Sequence, residues 1–489
     1  MGSLRNRVTQ DIVTTQHLAF ILLLSISCTA DSEKDVILNT AERIAQRVGD
    51  EHEKDCSLSF IASWYAGIGE YDQALKLTRK IEDDGEKSTT LFTIAVSYLE
   101  AKQYDKAFAL LEKIEDVDSK ISFICMASRY YTEEGESLKA SNALEQGLTI
   151  AATVEDNLRR AAVMGRLATS YAELGENAAA IALLHRGLLA IETTTDSDNT
   201  FSRSRALKEI AEGYIEVGRK DTACVILHQA QQDVQALEHV SFKERELYTI
   251  GAVFLECDNY TAALEISETI SDTKVKAMLL ERVAEKYRVE DKYEKSLQLA
   301  NRIDERFYKN EVLGSVAQAY AKEGQYTRAL EVINSMDNVV HKVSIFSTLA
   351  LQYQATERNA EARELLCRAL NIAESLQDNL SKVYAYMHVS SAYAEVHDTA
   401  KVIEVLSRAE EEAMATEDSF HRSMALNLLA SKYAEFNRYK HALRVAKAIP
   451  ETFWKVAALA AIAGEYRKNN QLIDEEAKQI LQEIRRDKE

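Results

Sequence analysis

Twelve aromatic residues recur at fixed spacing and govern what the rest of the chain can fold into. They are Tyr65, Tyr98, Tyr131, Tyr171, Tyr214, Phe254, Tyr287, Tyr320, Tyr353, Tyr393, Tyr433 and Tyr466, separated by 33, 33, 40, 43, 40, 33, 33, 33, 40, 40 and 33 residues. Three residues before each stands Ala, Gly or Ser, from Ala62 to Ala463. Nine residues after, ten of the twelve positions are small, among them Ala74, Ala180, Ala329 and Ala442. Positions three or four apart share one helix face. A small residue there lets a second helix come close, and the aromatic fills the space beside it. Each unit is expected to be two helices, A and B, that cannot bury their apolar faces alone and must stack on the next unit.

Unit length has its own marker. Six residues past the aromatic, every 33-residue unit has tyrosine: Tyr71, Tyr104, Tyr260, Tyr293, Tyr326 and Tyr439. Longer units have Ser137, Asn177, Lys220, Asn359 or Thr399 there. Seven extra residues are about two helical turns, so long units are expected to lengthen helix B without changing its buried face. A single proline, Pro450, in 489 residues and no alternating strand pattern make the expected class all-α.

Small-x-x-Tyr followed by Gly-x-Tyr-x-x-Ala, as in AQAYAKEGQYTRAL at residues 317–330, resembles the tetratricopeptide repeat. The mixture of short and long units is similar to bacterial proteins of this class. The resemblance covers roughly residues 36–489 and departs from the pattern in unit length and in lacking the closing proline. HEAT and armadillo solenoids share the longer unit length but not the small-residue columns. The resemblance implies an α-solenoid, a right-handed superhelix of about 12 stacked antiparallel helix pairs over residues 55–470. Residues 31–54, which include VILNTAERIAQRV, read as a partial repeat or cap helix, and the charged stretch 471–489 reads as a C-terminal capping helix.

Residues 1–30 stand apart. Arg5 and Arg7 precede an apolar run from Leu18 to Leu24, too short to span a bilayer but the size of a secretory signal core. SISC before Cys28 is similar to a lipoprotein box, with Ser25 where leucine is usual; Cys28-Thr29-Ala30 also offers an ordinary cleavage site. Export to the periplasm or a lipid anchor at Cys28 in the envelope is the expectation. A short helix that stays in the cytosol is the alternative.

The net charge of −19, from 59 basic and 78 acidic side chains, opposes nucleic-acid binding and adhesion to an anionic membrane other than through the N-terminal lipid. Eleven residues before the aromatic all twelve units are basic, from Lys54 to Lys455, and four residues earlier nine of twelve are acidic. Asp in that place is expected to cap helix A, with the base four residues on pairing with it.

No phosphate loop, nucleophile elbow or zinc signature occurs, and the six cysteines show no metal or disulfide spacing. The histidines are scattered; His185 and His228 share one place in adjacent long units and read as helix-surface residues. No cofactor, metal or catalysis is expected. The expected role is a non-catalytic scaffold for a protein or peptide, with a cytosolic sensor or a self-assembling component as alternatives.

The resemblance implies that the inner wall comes from helix A, at positions nine, six, five and two before the aromatic. There, the ends of the array are mostly neutral, with Cys56, Ser59 and Ser63 early and Ala457, Ala460 and Ala461 late, whereas Arg166, Arg205, Lys208, Arg245 and Arg282 collect in four consecutive units. Arginine suits bidentate capture of a carboxylate, so a peptide with an acidic end is the expected ligand. Neutralisation by Glu209, Glu212, Glu281 and Glu285 on the same helices is the competing structural reading.

Overall fold

Each A helix is 17 residues long, beginning fourteen residues before its aromatic and ending two beyond it, from Glu51–Gly67 to Thr452–Lys468. The computed structural model describes residues 36–194, 199–337, 339–469 and 473–486. Among the described residues it holds 25 helices and no strand. Helix B is 8 to 10 residues in the 33-residue units, as in Tyr71–Thr78 and Tyr260–Thr269. It is 16 or 17 residues in the longer ones, as in Ser137–Ala152 and Asn359–Ser375. The extra residues therefore add the two turns expected. All twelve small residues three before the aromatic are buried, and eleven of the twelve aromatics are at most 7% exposed, Tyr287 being the exception. Burying such side chains stabilises by roughly 1.5–3 kcal/mol each.

The A-to-B turn is the same in the eleven repeats whose turn is described. The residue four beyond the aromatic lies in the left-handed region, from Gly69 (φ 84°) to Asn437 (φ 60°). The next amide then donates back to the aromatic's carbonyl, as Glu70 N does to Tyr65 O at 2.8 Å. This bond closes helix A and sends the chain into helix B. Five of these positions are glycine, and Lys102, Asp258, Asp291, Glu357, His397 and Asn437 adopt the same conformation.

The acidic residue before helix A caps it as expected. Asp50, Asp83, Asp156, Asp272, Asp378 and Asp418 each accept from a first-turn amide. The base four residues on does something else. Lys243 and Lys342 donate to the carbonyls of Gln235 (2.6 Å) and Asn334 (3.3 Å) at the end of the preceding helix B. Arg160 reaches Val154 O (2.9 Å) and Lys276 reaches Glu268 (2.8 Å). Lys54 and Lys309 pair forward with Glu82 and Asp337, at 3.7 Å each. Asp50, Asp156 and Asp272, four residues before Lys54, Arg160 and Lys276, are already engaged by first-turn amides, and Lys243 follows His239 and has no carboxylate there. The last carbonyls of helix B are short of donors and carry the negative end of the helix dipole.

A buried polar side chain ten residues before the aromatic adds a second tie. Asp55 accepts from the amides of Glu82 (3.1 Å) and Asp83 (2.8 Å), and Glu244 from those of Ser271 (2.8 Å) and Asp272 (3.0 Å).

The chain divides into two compact units, one of Met1–Asp116 with Ala409–Glu489 and one of Val117–Arg408. In the first, the described residues at the two ends of the sequence pack together. Helix Val36–Gln46 buries Ile37, Leu38, Ala41 and Ala45 and lies against Thr452–Lys468 and Glu475–Arg486. Arg485 donates to Thr40 Oγ1 (2.9 Å) and Val36 O (3.2 Å), and Arg47 donates to Arg485 O (3.1 Å). The A helices Glu51–Gly67 and Thr452–Lys468 also meet: Phe60 and Phe453 lie edge to face at 5.9 Å, and a Cβ on Gly464 would stand 2.7 Å from Trp64. The two helices expected to cap opposite ends thus cover each other. The first A helix starts at Glu51, so the expected boundary at 54/55 falls inside it.

In the second unit the short repeats are joined by tyrosine pairs. Tyr260 stacks on Tyr287 (4.8 Å) and Tyr326 on Tyr353 (4.3 Å), and Tyr293 meets Tyr320 edge to face at 5.0 Å. The length marker is therefore an inter-repeat contact. Helices Asn157–Glu173 and Thr200–Glu216 touch backbone to backbone, because a Cβ on Gly165 would lie 2.7 Å from the carbonyl carbon and oxygen of Glu209.

Candidate functional site

The five basic residues expected to line one surface all lie on consecutive A helices of the Val117–Arg408 unit, and they divide into two kinds. Arg166 is bound to Asp118 of the preceding A helix, Val117–Glu133, and Arg159 shares that carboxylate at 3.0 Å. Lys208 is bound on its own helix by Glu209 (3.2 Å) and Glu212 (3.0 Å) and is 16% exposed. Burial opposes the charge on Lys208, but the two carboxylates hold its ammonium pKa above the ordinary value. Burial in turn pushes the Glu212 carboxyl up, against the pull of Lys208. Lys208 is thus taken up internally on its own helix, as the competing reading of the sequence has it, whereas Arg166 is taken up by a carboxylate of the preceding A helix that the reading did not include.

Arg205, Arg245 and Arg282 are different. All three are exposed, and among the described residues none has an ion pair or a hydrogen bond from its side chain. The carboxylates that share their helices are engaged elsewhere or withdrawn. Glu285 forks onto Arg288, with 2.7 Å to Nε. Glu281 is half-buried; burial raises its pKa, Glu285 and Glu311 add to the rise, and Arg282 offsets part of it. Glu311 is held by His341 at 2.6 Å.

One turn N-terminal to two of these arginines lies an aromatic pair absent from the expected set. Phe201 and Phe242 meet edge to face, centroids 6.2 Å apart and planes at 70°, and His239 stands edge-on to Phe242 at 6.3 Å. Phe242 is 53% exposed and its neighbour Val240 60%. The signal was in the columns thirteen and twelve before the aromatic, one turn beyond those read for the inner wall.

Among the described residues no cluster of His, Cys, Asp and Glu could hold a metal ion, and no helix is long and apolar enough to cross a membrane. His185 and His228 are exposed on their helices, as the sequence reading has it, and each also has an aromatic neighbour. The ring of each lies near the aromatic of the following repeat, Tyr214 at 6.5 Å and Phe254 at 4.9 Å. Cys28 and the whole 1–30 segment lie outside the described residues.

No family model matches the sequence, and no curated protein matches it. Among solved structures it is similar to Ton1535 from Thermococcus onnurineus NA1, at 16% identity over 76% of this chain and 99% of that one, with a TM-score of 0.33. A kinesin light chain from Podosopora anserina with nearly identical TPR-like repeats is 21% identical over 39% of this chain and 95% of its own, TM-score 0.27. A Rap protein complexed with competence and sporulation factor is 14% identical over 87% and 99%, TM-score 0.25. At TM-scores this low the likenesses say nothing about function.

Proposed function

We propose that this tetratricopeptide-like repeat protein is a non-catalytic interaction scaffold, and that the A-helix face of its Val117–Arg408 unit receives a protein or peptide segment bearing a carboxylate. One observation carries the reading. Arg205, Arg245 and Arg282, on three successive A helices, are exposed and unpaired among the described residues in a chain whose net charge is −19. Arg166, in the neighbouring repeat, is by contrast neutralised by Asp118. A guanidinium left open is ready to fork onto a carboxylate supplied from outside.

The test replaces Arg205, Arg245 and Arg282 with Ala together and compares the capture of native partners by the variant and the parent chain. The reading expects at least one partner lost from the variant and weakened by salt in the parent. Identical capture by a variant with an unchanged circular dichroism spectrum overturns it. Self-assembly head to tail is the weaker reading, because among the described residues the first and last repeats pack on each other.

Export remains a proposal from residues 1–30 alone, with cleavage before Cys28 or after Ala30 and lipid on Cys28 in the first case. Mass spectrometry of natively produced protein would show the trimmed N-terminus; an intact 1–30 segment would place the scaffold in the cytosol.

A further inference from the structure

We infer that Phe201 and Phe242 form an apolar subsite beside the open arginines, so that the segment recognised there carries a large apolar side chain next to an acidic one. This rests on the carboxylate-binding reading above. Phe201 and Arg205 are four residues apart on Thr200–Glu216, and Phe242 and Arg245 are three apart on Val240–Glu256, so each pair shares one helix face. The two rings touch across the helices, which places an aromatic platform about one turn, or ~5 Å, from two open guanidiniums.

Comparison within the chain shows that the arrangement is not a by-product of the repeat. Phe420 and Phe453 hold the same place before their aromatics as Phe201, but they pack on Trp454 (5.8 Å) and Phe60 (5.9 Å). Phe307, 52% exposed, has Glu311 one turn on, and that carboxylate is already held by His341. The combination of a ring pair, Phe242 exposed and Phe201 half-buried, with unpaired arginines one turn away belongs to Phe201, Phe242, Arg205 and Arg245. The charge decides the occupant. Two open cations in an acidic chain call for an anionic partner, and the adjoining rings call for an apolar side chain on the same segment. A peptide with Phe, Leu or Met beside Asp, Glu or a terminal carboxylate has both.

Fluorescence anisotropy with the whole chain tests this, using short labelled Gly/Ser peptides that carry Phe-Glu-Glu, Ser-Glu-Glu or Phe-Gln-Gln and end in an amide. The Phe-Glu-Glu peptide is expected to bind about tenfold more tightly than either of the others. Phe242→Ser, at an exposed position, should erase the preference for Phe over Ser and keep that for Glu over Gln. Arg245→Ala should do the reverse, with thermal melts confirming both folds. A free-acid form of Phe-Gln-Gln that binds as Phe-Glu-Glu does would show that a terminal carboxylate serves as well. If Phe and Ser peptides bind equally, the subsite is wrong while the carboxylate reading stands. Should Glu and Gln peptides bind equally, the carboxylate reading is wrong. No binding of Phe-Glu-Glu overturns the subsite, and preferential binding of an oligothymidylate overturns both.

Discussion

The ring of Tyr326 stacks on that of Tyr353 in the next repeat, with centroids 4.3 Å apart and planes 26° from parallel. The Arg358 guanidinium lies over both, 4.8 and 4.4 Å from the two centroids. A stacked pair contributes about 0.5–1.5 kcal/mol beyond its buried area and a cation over an aromatic face about 0.5–1. Tyr326→Ala should therefore cost about 1–2.5 kcal/mol, while Tyr326→Phe, which keeps the ring and loses only a 3.4 Å contact to Thr356, should cost little. Thermal melts followed by circular dichroism separate the two. Equal melting of the Ala and Phe variants would mean that the tyrosine marks repeat length without joining repeats.

Two glycines on A helices should respond in opposite ways to a methyl group. A Cβ at Gly165 meets the Glu209 backbone at 2.7 Å, which cannot move without parting two helices. Gly165→Ala should lose about 1–3 kcal/mol to overpacking in spite of the better helix propensity of Ala. A Cβ at Gly251 meets the tip of the Leu279 side chain, also at 2.7 Å, and that side chain can rotate. Gly251→Ala should be close to neutral. Chemical denaturation of both variants checks the contrast; equal losses would refute the backbone contact.

The half-buried carboxyl of Glu281 gives a pH signature. Its pKa is raised in the fold by burial, then by Glu285 and Glu311, with Arg282 pulling the other way. The fold thus disfavours the charged form. Its stabilising contribution is whole below the ordinary value of 4.5 and is lost as pH rises through the higher folded value. Glu281→Gln should raise the melting temperature at pH 7 and show no gain below pH 4.5. A gain that does not change with pH would point to packing instead of charge.

The helices were legible because one column sets the register of all the others: once Tyr65 is aligned with Tyr98, the start of helix A, its turn and the start of helix B follow. The two extra turns of long repeats were legible for the same reason. Side-chain destinations were not. Spacing of four suggests that Lys276 pairs with Asp272, but it cannot show that the Asp272 carboxylate is occupied by the Lys274 and Val275 amides. The candidate surface was half legible. A column puts Arg205 and Arg166 where the resemblance implies a wall, but only packing shows that Asp118, 48 residues before Arg166, holds one and leaves the other open. Nothing periodic links Thr40 to Arg485, so the meeting of the first and last repeats left no trace in the sequence.

That meeting has a bearing on how the protein is made. Thr40 and Arg485 are 445 residues apart, and at about 5–20 residues per second the ribosome needs on the order of a minute to travel between them. For that time helix Val36–Gln46, with Ile37, Leu38 and Ala41 on its apolar side, has Glu51–Gly67 beside it but not the C-terminal helices that complete its cover. Repeat arrays of the open kind settle unit by unit as they emerge. Here the first of the described helices is among the last to be fully covered, which makes it a stretch a nascent-chain chaperone would hold for long.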